Sequence, residues 1–336
     1  MAFYQKLKYY NPEKADWISK RLLALRETMR ASPLGRRDQK NLVIGSWNIR
    51  AFDEGKPRRD ESYHYIAEII DHFDICAVQE VKSDLKPLRR LLKLLGPNWD
   101  YFVTDVTEGG PGNRERQAFL YNKNKIQFRN LVGEITLAQE NLIEGKQIAR
   151  TPYFASFQAG WFRFTLVSVH IIFGKDKSKR AQEIARVAER IVKRAKEEDQ
   201  VYVLIGDMNI EKRGDDIFKS LSDHGLRTPV FGPTNLGGTK FYDQIAFTGE
   251  DEKTDFVNSG SFDWRDDVYG DVDKDTYFDI VKANREEEGK EMYSNWEMSY
   301  QAHFASFEMS DHLPIWVEIR TDYSDEYLQR FRHGRV

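Results

Sequence analysis

Six short apolar runs in this chain each stop at an acid, an amide or an imidazole, and together they extend over roughly 270 of its 336 residues. In order they are Ser46-Trp47-Asn48-Ile49, Val78-Gln79-Glu80, Ser168-Val169-His170, Gly206-Asp207-Met208-Asn209, Phe241-Tyr242-Asp243-Gln244-Ile245 and Ser310-Asp311-His312-Leu313-Pro314. Runs this short read as strands. Polar groups at strand ends lie on the rim of a sheet, where loops hold a substrate over a rigid scaffold. Two amides, four carboxylates and two imidazoles meeting on one rim would make a divalent-metal site for phosphoester hydrolysis.

Between these runs the chain alternates strand and helix. Asn11-Pro12 reads as an N-cap with proline in the first helical position, and Ile18, Leu22, Leu25 and Met29 continue at helical spacing, so a helix is expected over 12–31. Leu42–Ile49 reads as a short buried strand. Asp60 is the expected cap of a helix carrying Tyr63, Ile66, Ile69, Ile70 and Phe73. Strand Ile75–Gln79 follows, then a helix capped at Ser83 with Leu85, Leu88, Leu91, Leu92 and Leu95 on one side. Strand Phe162–Val169, helix Lys179–Glu198 and strands Val201–Ile205, Tyr242–Phe247 and Leu313–Ile319 complete the reading. Strand–turn–strand stretches such as Gln117–Leu131 point to mixed rather than purely parallel sheets. Gly109-Gly110-Pro111-Gly112-Asn113 reads as a mobile loop. The organisation expected is an N-terminal helical extension over 1–40, a catalytic domain over 41–320 with a polar and aromatic insertion at 249–309, and a tail over 321–336. A helix is expected near 284–298.

Seven Trp and 21 Phe exclude a largely disordered chain. The single Cys76, inside an apolar run, reads as a buried, inert thiol. No signal peptide is apparent and no segment has the roughly 20 apolar residues of a membrane span, so a cytoplasmic protein is the expectation. A net charge of −3 argues against whole-molecule attraction to nucleic acid. The charge is uneven, however. Residues 20–40 are rich in Lys and Arg, and 250–275 in Asp and Glu. Each is an ordinary solvated surface on the plainer reading, and the basic stretch is a lip beside an active site on the sharper one.

Taken singly, the site residues are unremarkable: Asn48 suits a turn and Glu80 a solvated strand end. Gly206-Asp207-Met208-Asn209 is more pointed, because Gly allows close backbone approach and Asp207 and Asn209 then alternate onto one side. Asp311-His312 sets a carboxylate beside an imidazole, and Asp243 is the candidate to hold the ring's other nitrogen.

As an ordered set the six segments resemble the endonuclease/exonuclease/phosphatase superfamily, over about residues 41–320. The resemblance implies a deoxyribonuclease I-like α/β fold: a four-layer sandwich of two face-to-face mixed β-sheets flanked by helices. It implies that Asn48 and Glu80 hold Mg²⁺ (or Mn²⁺) and its waters, with Asp311 as a further metal-side carboxylate. Asp207 and Asn209 would orient the attacking water and the phosphate, Asp243 and His312 would form a buried dyad, and His170 would be the second catalytic histidine. Arg116, with Tyr121 at the end of the same strand-like stretch, would bind substrate.

The function so implied is a metal-dependent phosphodiesterase, a nuclease acting on DNA or RNA by in-line water attack. Phosphomonoesterase and phospholipid or sphingolipid phosphodiesterase are the alternatives within the superfamily. A Trp-Cys-Asp-Arg-type segment, usual in inositol polyphosphate 5-phosphatases, is replaced here by Phe241-Tyr242-Asp243-Gln244, which lowers that reading. An inactive binding scaffold is the alternative of a different class, and the intact polar set argues against it.

Overall fold

Alternation along the first strand sets the layering. Leu42 and Ile44 join an apolar layer with Ile75, Ala77 and Phe119, whereas Val43, Trp47 and Ile49 join Cys76, Val78 and Leu120 in a second layer on the other face. A sheet buried on both faces needs a partner on each.

The computed structural model describes residues 2–332 apart from 37, 39, 53–55, 108–113, 175 and 250–253, so the glycine-rich Gly109–Asn113 stretch lies outside the described residues. The elements run α1 (Pro12–Ala31), β1 (Leu42–Phe52), α2 (Asp60–Ile70), β2 (Ile75–Val81), α3 (Lys86–Leu95), β3 (Trp99–Val103), β4 (Arg116–Asn122), β5 (Gln127–Glu134), β6 (Tyr153–Ala159), β7 (Phe162–His170) and α4 (Lys177–Glu198). They continue with β8 (Val201–Asp207), α5 (Asp216–Ser222), β9 (Asp243–Phe247), β10 (Phe256–Ser261), α6 (Lys274–Glu287), α7 (Trp296–Ser299), a π-helical turn (Tyr300–Ala305), α8 (Ser306–Glu308), β11 (Ile315–Ile319) and α9 (Ser324–Arg332).

One sheet has the order β10-β11-β1-β2-β4-β3 and the other β5-β6-β7-β8-β9. Both are mixed: β1 runs parallel to β2 and antiparallel to β11, and β7 runs parallel to β8 and antiparallel to β6. Phe157, Phe164, Leu166, Val203 and Ile205 meet the inner face of the first sheet. Ile184, Val187 and Ile191 of α4 cover the outer face of the second sheet through Val167, Tyr202 and Leu204. Helices α1 to α3 cover the outer face of the first. The four-layer sandwich of two mixed sheets flanked by helices is therefore present.

Asn11 caps α1 as expected, accepting from Lys14 N at 2.8 Å. Ile18, Leu22, Leu25 and Met29 are buried in the same cluster as α2 and β1, so this helix completes the core rather than trimming it. Two expected caps move. Asp60 is the first residue of α2, its carboxylate taken by Lys14 at 2.7 Å and by Arg90. Asp84 rather than Ser83 accepts from Lys86 N, at 2.9 Å. The insertion's main helix is α6, ten residues earlier than expected, because Tyr277 and Val281 are the positions that reach the core. The two charge-biased stretches meet across the fold: Arg21 pairs with Asp273, and Thr28 Oγ1 donates to Asp267 Oδ1 at 2.7 Å. Arg26 turns to Glu68 at 3.1 Å. Those arginines clamp the insertion and α2, and form no lip. Among the described residues no helix is long and apolar enough to cross a membrane.

Candidate active site

Strand direction collects the polar residues on one rim. Asn48 and Glu80 lie toward the C-terminal ends of the parallel β1 and β2. His170 and Asp207 are paired at the ends of the parallel β7 and β8. Strands β9 and β11 run the other way, so their beginnings, Asp243 and the preceding His312, reach the same edge.

Local structure then aims each side chain. A bulge interrupts β2 near Glu80, whose backbone is left-handed (φ 59°). Bulges re-aim side chains next to functional sites. Glu80 consequently accepts from Asn48 Nδ2 at 3.0 Å and from Ala51 N at 2.7 Å. Gly206 has φ 133°, and a Cβ there would lie 2.1 Å from the Val169 carbonyl oxygen, so only glycine brings β8 this close to β7. Gln79 Nε2 donates across to Ser168 Oγ at 3.3 Å and ties the two sheets together at the rim. Ser310 Oγ donates to Asn48 O at 2.6 Å and Trp47 Nε1 to His312 O at 2.9 Å, which seats the Ser310–Pro314 segment on β1.

Asp207 occupies the centre. Its Oδ1 accepts from Asn209 N at 2.9 Å and its Oδ2 from Asn48 Nδ2 at 3.0 Å. His170 Nε2 lies 3.6 Å and His312 Nε2 3.8 Å from that same Oδ2. Behind each ring stands a carboxylate. Asp243 Oδ2 is 2.7 Å from His312 Nδ1, and Glu115 Oε2 is 3.0 Å from His170 Nδ1. Burial disfavours a charge on His312, yet Asp243 and Asp207 overcome this and raise its pKa well above 6.5. Burial likewise pushes the Glu115 carboxyl up, but His170, Arg150 and Lys82 outweigh it and hold the pKa at about 2.

Asn209 Nδ2 donates to Ile171 O at 2.7 Å, and its left-handed backbone (φ 51°) suits asparagine. Asp311 is half exposed beside the cleft, with Arg50 Nε 4.0 Å from its Oδ2. Arg116 starts β4 on the same rim, but Nη1 donates to Thr104 O at 2.6 Å and lies 3.3 Å from Asp105. Tyr121 is not at the site. It pairs in register with Ile75 at the opposite end of β4, about 17 Å from Arg116 along the strand, and stacks on Phe102 in the core between the sheets. The two ends of one strand open on opposite rims.

Glu115 is the functional candidate that sequence reasoning missed. It follows the glycine-rich stretch and is separated from His170 by more than fifty residues, so no local pattern marks it. The available signal is its position just before a strand antiparallel to β2, which puts it on Glu80's rim.

The donors suit a hard divalent cation. Ligand atoms of Glu80, Glu115 and His170 lie within 4.8 Å of one another, as do those of Asp207, Asp243 and His312. Asn48 Oδ1 is buried with no hydrogen-bond partner among the described residues, although its Nδ2 is fully engaged. An orphaned amide oxygen beside a carboxylate is what a hard divalent cation would satisfy.

The sequence pattern of the endonuclease/exonuclease/phosphatase family matches residues 45–270. Horse (Equus caballus) deoxyribonuclease-1 is 33% identical over 92 residues, a match covering 26% of this chain and about a third (33%) of that protein's length. Among solved structures, an endonuclease/exonuclease/phosphatase family protein from Bacteroides thetaiotaomicron superposes with a TM-score of 0.56 at 16% identity, covering 84% of this chain and 99% of that one. A mannosyl-6-phosphatase from the same organism gives 0.54 at 16%, covering 83% and 99%. Family pattern, fold and rim agree: the chain belongs to the endonuclease/exonuclease/phosphatase family.

Proposed function

We propose that this chain is a divalent-metal-dependent phosphodiesterase that hydrolyses nucleic acid. The observation that carries the reading is the convergence on Asp207 Oδ2: one amide donor and two imidazoles, each imidazole backed by its own buried carboxylate. A structural Asp at a strand end has no use for two such dyads. Among family substrates, nucleic acid is favoured by the likeness to deoxyribonuclease-1.

Glu80 and the free Asn48 Oδ1 are the residues to hold the cation. When bound, it supplies Lewis-acid neutralisation of charge on a phosphoryl oxygen. The chain's own groups do the rest. Asp243 fixes Nδ1 of His312, and Glu115 stands against Nδ1 of His170, so both Nε2 atoms face the cleft; the protonated His312 donates from Nε2 to an oxygen of a phosphoryl group gaining charge. Asp207, held at both oxygens, orients a water on the line opposite the leaving group, and Asn209 locks that carboxylate through its backbone N–H.

The test is hydrolysis of supercoiled plasmid, linear duplex, single strands, RNA and small phosphoesters, each with Mg²⁺, with Mn²⁺ or with excess chelator. The expected result is metal-dependent cleavage of at least one nucleic acid. Undiminished turnover in chelator would refute the metal assignment. Cleavage of phosphomonoesters alone would replace a nuclease with a phosphatase.

A further inference from the structure

The insertion builds a second recess against the rim. A cavity of about 570 Å³ is enclosed by α1, by the segment leading into α2, and by α6, the π-helical turn and α8 of the insertion. Its volume suits a small-molecule ligand. Six Lys and Arg side chains line it against three carboxylates, in a chain whose net charge is −3. Each carboxylate already has partners. Asp60 is held by Lys14 and Arg90, Glu288 by Lys290 at 2.8 Å and Lys56 at 3.4 Å, and Glu308 by Ser62 Oγ at 2.6 Å and Arg59 N at 2.9 Å. The lining cations outnumber the lining carboxylates, although Arg59 also pairs with Glu61 at 2.6 Å.

The cations alternate with flat rings. Arg285 lies over Tyr293 at 4.0 Å, and His303 stacks on the same ring with planes 14° apart. Arg58 lies over Phe307 at 5.3 Å. Arg285 spends Nε on Glu291 O at 2.7 Å, and among the described residues its Nη groups make no hydrogen bond. Guanidinium forks beside aromatic faces recognise a phosphate joined to a base.

Arg50, two residues beyond Asn48, lies between the cavity and the catalytic rim. Arg50 lines the cavity, donates from Nη1 to Ser306 Oγ of α8 at 2.6 Å, and has Nε 4.0 Å from Asp311. Arg58 in turn donates to Arg50 O. The insertion is thereby bonded to the strand that carries Asn48.

We infer that this cavity receives the nucleotide unit flanking the scissile phosphate, its phosphate on the Arg285 side and its base against the aromatic wall. The inference rests on the phosphodiesterase reading above and assigns the insertion as the element that selects an oligonucleotide over a small ester. The experiment compares the wild-type chain with Arg285→Ala and Arg285→Lys in two assays. One is equilibrium binding of a terminally phosphorylated thymidine dinucleotide in excess chelator. The other is steady-state hydrolysis of an oligonucleotide and of bis(para-nitrophenyl) phosphate with Mg²⁺. Arg285→Ala should weaken dinucleotide binding and raise the oligonucleotide KM by roughly ten- to a hundredfold, the loss of a charge-assisted contact, with Arg285→Lys in between and hydrolysis of the small diester unchanged. Equal dinucleotide binding in all three proteins, with oligonucleotide cleavage intact, overturns the cavity assignment and leaves the nuclease reading standing. Wild-type hydrolysis of the small diester with no binding or cleavage of nucleic acid removes both. Weakened binding in Arg285→Ala without hydrolysis of any substrate supports the cavity and removes the catalytic reading.

Discussion

Replacing Glu115 by glutamine tests the second dyad where it is most exposed to measurement. Glu115 is buried among Arg150 Nε at 2.8 Å, His170 Nδ1 at 3.0 Å and Lys82 Nζ at 3.4 Å. Holding its carboxyl at about 2 rather than 4.5 corresponds to about 3 kcal/mol of folding free energy at neutral pH. The sign follows from the depressed pKa. The contribution is complete above the unfolded value and disappears as pH falls from about 4.5 toward about 2, where the native carboxyl also takes up its proton. Glu115→Gln should therefore unfold about 3 kcal/mol more easily at pH 7, a size matching the cost of breaking a buried ion pair. Urea denaturation of both proteins between pH 7 and pH 3 should show the difference shrinking with acidity, while Mg²⁺-dependent turnover falls because His170 loses its orienting partner. A stability difference under about 0.5 kcal/mol at pH 7, or one unchanged on acidification, would show that the carboxylate is not held by these cations.

Asp243→Asn should lower turnover by roughly 10²–10⁴ through His312, and adding His312→Ala should cost little more, because residues that act as a unit are not additive. Losses that multiply in the double variant, with unchanged melting temperatures, would separate the pair. Gly206→Ala should destabilise by about 3 kcal/mol in denaturant titrations, since its Cβ would meet the Val169 carbonyl at 2.1 Å with φ at 133°. A variant as stable as the parent would mean that β7 and β8 can part at the rim without cost.

The rim was legible because its residues terminate apolar runs: Asn48, Glu80, His170, Asp207, Asp243 and His312 all lie within the sequence segments first singled out, and the fold brings them together. What the sequence hid depended on pairing. Glu115 becomes a neighbour of His170 only once β4 runs antiparallel to β2. The same strand explains the misplaced Tyr121, since a run of residues does not show which end reaches the cleft. The insertion was legible only as polar and aromatic. Its helix lies at Lys274–Glu287, where Tyr277 and Val281 reach the core and the preceding Asp273 pairs with Arg21 of α1, some 250 residues earlier. Contacts of that separation leave no periodic trace.

The pairing of β1 with β11 sets when the rim can assemble. Leu42 bonds in register opposite Ile319, so the first strand of the chain waits for the last before its sheet is complete. Asp243 and His312, supplied late, face Asn48, supplied early. Glu115 and His170 are both supplied by residue 170, whereas the Asp243–His312 dyad cannot join Asp207 and Asn48 at the rim until His312 has been made. Long-range closure of this kind is slow, and here it delays assembly of the rim until β11 is in place.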